Sequence, residues 1–168
     1  MKWLVITLAV LVGLALIVVA VGWLMPVTHT ARGQRRLAAP PDTVWRAITD
    51  VEAFTSWRPD VTRVERLPDR DGRAVWTEHG SSGSMTIAVE RSEPPRTLVT
   101  RIQPGLPFGG TWTYEITPDA GGSLLTITED GEVYNPIFRF MSRFVFGHEA
   151  TIAVYLKALE TRSAELVN

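Results

Sequence analysis

Few residues in this 168-residue sequence have the type and spacing that catalysis or metal binding requires. The three histidines, His29, His79 and His148, are scattered, with no H-x-x-x-H pair and no carboxylate-rich spacing around them. Cysteine is absent, which excludes disulfides, thiolate metal sites and cysteine nucleophiles. The sequence also lacks a Walker A motif, a G-x-S-x-G elbow and a dinucleotide-binding fingerprint. We therefore expect neither a metal site nor a cofactor.

Histidine, glutamate and tyrosine side chains remain as acid–base candidates. His148 lies on an apolar helical face, where an imidazole either hydrogen-bonds within the core or points into a binding site. Glu78 and Glu129 fall on the inward faces of predicted strands, where an ionised carboxylate needs a partner such as Arg101. Exposure at the rim of the sheet is the alternative for both carboxylates. Phenol hydroxyls are offered by Tyr114, Tyr134 and Tyr155.

The charge balance argues against a nucleic-acid partner. The chain has 17 Lys and Arg against 18 Asp and Glu, a net charge of −1, so it offers no general attraction to polyanions. Its arginines are spread over separate predicted strands without aromatic residues in series that could stack on bases. We expect no nucleic-acid binding.

The first 27 residues predict a membrane anchor. From Trp3 to Met25, 20 of 23 residues are apolar, and a helix of that length is about 35 Å long against about 30 Å of hydrocarbon. Trp3 and Trp23 stand at the two ends, where indoles favour the interface, and Pro26 ends the helix. The alternative is a cleaved signal peptide with Lys2 as its basic region, although the apolar run is long for one.

Flanking charge predicts the orientation of this anchor. Lys2 stands on the amino side, whereas Arg32, Arg35 and Arg36 follow closely on the other side. Because positive flanks favour the cytoplasm, we expect a single-pass cell-membrane protein whose folded domain, residues 28–168, lies on the cytoplasmic side.

The rest of the chain predicts an α+β domain with an antiparallel sheet. Two short helices follow the first strand, beginning at the prolines of residues 40–41 and ending at Arg58-Pro59. Turn signals such as Asp69-Arg70-Asp71-Gly72 separate the later strands. The seven predicted strands cover residues 28–37, 61–67, 73–79, 85–91, 97–102, 111–117 and 124–133.

A long amphipathic helix is predicted at the carboxyl end. Asn135 is a suitable N-cap, Pro136 suits the first helical position, and the helical pattern continues to about Leu166. Gly147 inside this pattern predicts a kink or a close approach. The apolar face, expected on the sheet, contains Ile137, Met141, Phe144, His148, Ile152, Tyr155 and Leu159. The opposite face contains Arg139, Arg143 and Lys157.

This order of elements, with a long helix lying on an antiparallel sheet, is that of the helix-grip fold. Ala39-Pro40-Pro41-Asp42-Thr43-Val44-Trp45, followed by Asp50 and Trp57-Arg58-Pro59, resembles the opening of START-like (SRPBCC) proteins of the polyketide cyclase/dehydrase and lipid-transport type. Later landmarks are similar to the same family: Glu93-Pro94-Pro95-Arg96, Gly110-Thr111-Trp112, and Glu129-Asp130-Gly131-Glu132 leading to Asn135-Pro136. The resemblance covers about residues 28–166 and does not include the anchor.

The resemblance implies a cavity between the sheet and the long helix, in a family that binds lipids, polyketides, hormones or other apolar molecules. Alternation along the strands predicts which side chains face it, and a solidly packed core is the alternative. Trp112 and Phe144 are expected to face each other across this space. The candidate lining residues are Trp76, Met85, Trp112, Tyr114, Ile127, Glu129, Met141, Phe144, His148, Ile152 and Tyr155.

Three functions are consistent with these features. The leading hypothesis is a membrane-tethered binding protein for a hydrophobic or amphipathic, lipid-like small molecule. The second is a polyketide cyclase or dehydratase in which His148, with Glu129 or Tyr114, performs acid–base chemistry. The third is a structural or partner-binding protein with a filled core. The sequence leaves the oligomeric state open.

Overall fold

Helices stand at both ends of the chain in a computed structural model, which describes residues 1–80, 83–147 and 149–167. His148, the predicted centre of the carboxyl-terminal helical face, lies outside these residues. The helices are α1 (Lys2–Leu24), α2 (Pro41–Thr49), α3 (Phe54–Trp57), α4 (Pro136–Met141) and α5 (Ala150–Glu165). A 3-10 turn (Val51–Ala53) precedes α3, and a π-helical turn (Ser142–Phe146) follows α4.

Seven strands form one sheet in which every neighbouring pair is antiparallel, with the order β1-β7-β6-β5-β4-β3-β2. This confirms the predicted helix-grip architecture. The strands are β1 (Thr28–Leu37), β2 (Val61–Arg70), β3 (Arg73–Gly80), β4 (Gly83–Glu93), β5 (Thr97–Ile102), β6 (Phe108–Asp119) and β7 (Gly122–Val133).

The two ends of the sheet differ in what surrounds them. β1 begins directly after α1, and antiparallel pairing places Val133 and Phe108 at the same end, which we call the α1 end. The opposite, distal end contains the β4–β5 connection (residues 94–96) and the β2–β3 turn. That turn has positive φ at Asp71 (51°) and Gly72 (71°), as a type I′ turn requires, so the predicted hairpin is confirmed.

The helix α5 packs on the concave face of the sheet, and it lies closest at β1. Ile152 and Leu159 are completely buried there. Gly33 makes the approach possible, because a Cβ at that position would stand 2.6 Å from Ile152 Cγ2 and 3.1 Å from Leu156 Cδ1. A side chain on this inward position of β1 would therefore push the helix away from the sheet.

The carboxyl-terminal helical region is interrupted rather than continuous from Pro136 to Leu166. Asn135 caps its start as predicted, since its Oδ1 accepts hydrogen bonds from the backbone amides of Ile137 (2.9 Å) and Phe138 (3.2 Å). Gly147 has φ of +74°, a value that glycine adopts without strain, and it breaks the helix before α5. The predicted kink at Gly147 is confirmed, and its consequence is that α4 packs against α1.

Replacing Gly33 by alanine should lower the free energy of unfolding by about 1–3 kcal/mol, because the new methyl group overpacks against the buried, β-branched Ile152. The same replacement in an Ile152→Ala background should cost much less, since the clashing atom is gone. Denaturant unfolding of the two single variants and the double variant measures this coupling. Additive effects would show that Gly33 is not the contact that sets the position of α5.

Candidate ligand-binding site

The register of the sheet places the predicted inward residues on its concave face. Trp112 pairs with Glu129 and Tyr114 pairs with Ile127 across β6 and β7. Tyr114 and Ile127 are buried, as is Trp76 on β3. The burial of these three residues agrees with the inward positions read from the alternation along the strands.

A buried arginine organises this face. The side chain of Arg58, which follows α3, is 10% exposed, and its Nη2 donates to Asp60 Oδ2 at 2.6 Å. Its Nη1 donates to Glu78 Oε1 at 2.9 Å, and the same oxygen accepts the indole N–H of Trp76 at 2.9 Å. Burial alone would lower the pKa of Arg58, but the carboxylates of Asp60 and Glu78 outweigh it, so the pKa is raised and the charge is permanent.

The partner of Glu78 differs from the one suggested by the sequence. Glu78 pairs with Arg58, whereas Arg101 forms its ion pair with Glu90. The reason is the direction of the side chains: Arg101 stands next to Thr100, whose side chain shares the concave face with Trp112, and therefore points to the convex face. The prediction of Arg101 as a partner for an inward carboxylate is wrong.

Aromatic rings surround the arginine and fill much of the space between the sheet and α5. The guanidinium carbon of Arg58 stands 5.2 Å from the ring centroid of Tyr155, in cation–π geometry. Tyr155 also makes edge-to-face contacts with Trp57 at 5.4 Å and with Trp112 at 5.7 Å between ring centroids. This cluster ties α3, α5 and β6 together at the centre of the domain.

Two tyrosine hydroxyls are hydrogen-bonded inside this cluster. The hydroxyls of Tyr114 and Tyr155 form a hydrogen bond with each other, and Tyr114 also forms one with the side chain of Thr100. Burial is the main cause that raises the pKa of both phenols far above their ordinary value of 10.0. Both hydroxyls therefore keep their protons at neutral pH, which suits hydrogen bonding and not general base catalysis.

Glu129 is an inward carboxyl group whose pKa is shifted by its surroundings. Its side chain is 20% exposed and lies near the α1 end of the sheet, with its Oε1 3.5 Å from His29 Nε2. Burial raises the pKa of Glu129 to about 6, although a hydrogen bond from Trp112 lowers it in part. Glu129 thus exchanges its proton close to neutral pH.

Two half-open pockets, which we call cavities, lie on either side of α2, beside Trp57 and Trp76. The smaller, about 290 Å³, lies between α2 and strands β3 to β5 and has mainly apolar walls that include Trp45, Trp76, Val89 and Leu98. It also touches Gly72 and Pro94, and so lies toward the distal end of the sheet. The larger, about 420 Å³, lies between α2, α3 and the end of α5, and is more polar because of Arg46, Asp50 and Arg162.

The predicted lining residues are not all brought together. Those packed in the interior are Trp76, Tyr114, Ile127, Ile152 and Tyr155, of which Trp76 also lines the smaller cavity. Those half-buried on the concave face are Met85, Trp112 and Glu129. Met141 is half-buried on α4, and His148 lies outside the described residues.

Phe144 corrects the sequence analysis most clearly. The residue is 61% exposed, and its ring packs against Phe140 at 4.8 Å between centroids rather than facing Trp112. Arg139, expected on the solvent face, is instead buried. Both errors come from continuing one helical phase through residues 136–166, which the break at Gly147 invalidates.

Sequence reasoning did not identify Arg58 or Trp45 as site residues. Trp57-Arg58-Pro59 stood out as a landmark, but no local pattern indicates that Arg58 turns inward to meet a carboxylate on β3. The available signal was Glu78 itself, because an inward carboxylate requires a cationic partner. Trp45 was visible only as the last residue of the landmark at residues 39–45, and it lies on α2 next to the buried Val44.

A family model described as polyketide cyclase / dehydrase and lipid transport matches residues 28–162. No curated protein matches the sequence. The family match thus spans the whole sheet and most of α5.

Solved structures with this fold include an aromatase/cyclase, Zhui from Streptomyces sp. R1128, with a TM-score of 0.68 and 18% identity over 84% of this chain and 96% of that one. A START superfamily protein from Mycobacterium smegmatis has a TM-score of 0.65 and 22% identity, over 82% of this chain and 99% of that one. A protein from Thermus thermophilus has a TM-score of 0.67 and 22% identity, over 83% of this chain and 100% of that one. At these identities the likeness establishes the fold.

The perturbed carboxyl group predicts a pH-dependent stability. The pKa of Glu129 is about 6 in the fold against an ordinary value of 4.5, so the folded state binds this proton more tightly than the unfolded state. Glu129 therefore makes its full contribution to the free energy of unfolding below pH 4.5. This contribution falls by about 2 kcal/mol as the pH rises through 6.

The Glu129→Gln variant should lack this decline, because its amide does not ionise. Thermal melting of the wild type and of Glu129→Gln between pH 4 and pH 8 tests this, and the gain in Tm of the variant should appear only as the pH rises. A constant difference in Tm across this range would contradict the assignment.

Proposed function

Because the chain belongs to the polyketide cyclase/dehydrase and lipid transport family, we propose that it is a membrane-tethered binding protein for a small hydrophobic or amphipathic molecule. The observation that carries this proposal is the apolar cavity of about 290 Å³ beside Trp45 and Trp76. Its volume is at the lower end of the range for small-molecule sites. It suits a compact aromatic molecule or part of an acyl chain rather than a whole phospholipid.

The electrostatics around the cavity favour binding over catalysis. Arg58 is paired with both Asp60 and Glu78, and the indole N–H of Trp76 donates to the Glu78 carboxylate. A group held in such a network is poorly placed to exchange protons with a substrate. The apolar wall of the cavity, in contrast, gains free energy simply by excluding water from a hydrophobic ligand.

A second candidate function is supported by Glu129. A carboxyl group with a pKa of about 6, half-buried beside His29 and Trp112, has the properties of a general acid or base. In a cyclase or dehydratase, this group at the α1 end of the concave face would transfer the proton. The sequence-based version of this enzyme relied on His148 as well.

The tether in this proposal is α1. The helix has 23 residues, is long and apolar enough to cross a membrane, and leaves its large side chains exposed, including Trp3 (83%) and Trp23 (70%). Such a surface is costly in water, and a bilayer removes that cost. We place the folded domain on the cytoplasmic side because Arg32, Arg35 and Arg36 outnumber Lys2. A cleaved signal sequence is the alternative.

The smaller cavity lies toward the distal end of the sheet, away from α1. We infer that the tether fixes where the protein resides, and that ligand reaches this cavity from the aqueous side. An anchor that ends so close to β1 brings the α1 end of the sheet to the bilayer, and this cavity lies toward the other end.

Filling the cavity tests the proposal. Ala74 lines the smaller cavity, and Ala53 lines the larger one, so Ala74→Phe and Ala53→Phe are matched variants. Organic-solvent extracts of the purified full-length proteins, compared by mass spectrometry at equal protein amounts, should contain a stoichiometric apolar molecule for the wild type and Ala53→Phe. The Ala74→Phe extract should have lost most of it, because the phenyl ring occupies its space.

Equal amounts in all three extracts, or none in the wild type, would contradict binding in this cavity. The enzymatic alternative predicts a different result. The extracted molecule would then be converted on incubation with wild-type protein and would remain unchanged with Glu129→Gln.

A further inference from the structure

We propose that residues 136–146, which comprise α4 and the π-helical turn, form a second lipid-contact surface that lies in the bilayer interface beside α1. The inference rests on the proposed anchoring by α1 and adds a folded element to it. The partner is the boundary between headgroups and acyl chains of the same bilayer. We call these residues the interfacial segment.

The interfacial segment is in backbone contact with α1. Gly22 is the buried residue of that helix, and a Cβ placed on it would stand 2.0 Å from the carbonyl oxygen of Pro136. This separation leaves no room for a side chain, so the start of α4 lies directly against the last turn of α1. The position of one element relative to the membrane therefore determines the position of the other.

A buried arginine on α4 forms hydrogen bonds to the end of α1. Arg139 is 8% exposed, and its Nη1 donates to the carbonyl oxygens of Gly22 and Met25, both at 3.0 Å. The carbonyl of Gly22 would normally accept from the amide four residues later, but that residue is Pro26, which has no N–H. Arg139 supplies the missing donor, and its charge complements the negative end of the helix dipole.

The length of α1 sets the depth of the segment. Its 23 residues extend about 35 Å, slightly more than about 30 Å of hydrocarbon, so its last turn reaches the interface where Trp23 is favoured. Pro136 touches Gly22 in that turn and is therefore at the same level. Arg139 reaches Gly22 and Met25 in the same turn, so the start of α4 shares this level.

The side chains that the interfacial segment exposes are those that an interface accepts. Four of its large apolar residues, Ile137, Phe138, Phe144 and Val145, are 47%, 54%, 61% and 58% exposed. Arg143 is also exposed, within reach of anionic headgroups. Exposed aromatic and aliphatic residues together with a basic one are typical of segments that lie in the membrane surface. These exposed side chains lie next to the apolar, 23-residue helix α1, and they extend the apolar surface that α1 presents to lipid.

The absence of cysteine from the sequence allows a direct test with single labels. Phe144→Cys and Val145→Cys variants of the full-length chain carry an NBD dye in vesicles of phosphatidylcholine and phosphatidylglycerol. Quenching is measured with lipids that hold a nitroxide at a shallow or a deep acyl position. Leu14→Cys, in the middle of α1, and Ala120→Cys, on the exposed distal β6–β7 turn, are the matched controls.

We expect the labels at positions 144 and 145 to be quenched several-fold more strongly than the label at 120, and more by the shallow nitroxide than by the deep one. The label at 14 should be quenched most by the deep nitroxide. If the label at 14 is quenched but the labels at 144 and 145 are quenched no more than the label at 120, the inference is wrong and the anchor stands. Absence of quenching at 14 would overturn the anchoring itself, and the interfacial segment with it.

Discussion

The interior of this domain depends on the ion pairs and ring contacts of one buried group, the guanidinium of Arg58. It joins the end of α3 to β3 through Glu78 and to α5 through the ring of Tyr155. An arginine that is 10% exposed is tolerated only because two carboxylates and two aromatic faces replace its water. The helices that cover the concave face are thus held by a paired charge that lies among apolar core residues.

This arrangement also decides how much space is left for a ligand. The aromatic cluster around Tyr155 occupies the middle of the sheet–helix space, where the family resemblance implies an open cavity. The smaller, apolar cavity lies beside this cluster and is lined by Trp76, whose indole N–H is held by Glu78. Packing and binding therefore share residues, and the ion pair shapes the wall that a ligand would touch.

Much of the fold could be predicted because its determinants are local. Alternation gave the inward positions of Trp76, Tyr114 and Ile127, and turn chemistry gave the hairpins. The site was harder, because the Arg58–Glu78 pair joins elements 20 residues apart whose contact depends on the course of α3 across the sheet. The role of Arg139 was hidden for a related reason. Two of its partners, the carbonyl oxygens of Gly22 and Met25, lie more than 100 residues away, and the first is left without a backbone donor by Pro26.

The most direct measurement of the central interaction is a double-mutant cycle on Arg58 and Glu78, read out as the free energy of unfolding of the full-length protein in detergent. Arg58→Met should lose about 3–5 kcal/mol, because it leaves the Glu78 carboxylate buried without its partner. Adding Glu78→Gln should restore part of that loss, so that the double variant is more stable than the sum of the single effects predicts. Additivity within about 0.5 kcal/mol would contradict the account.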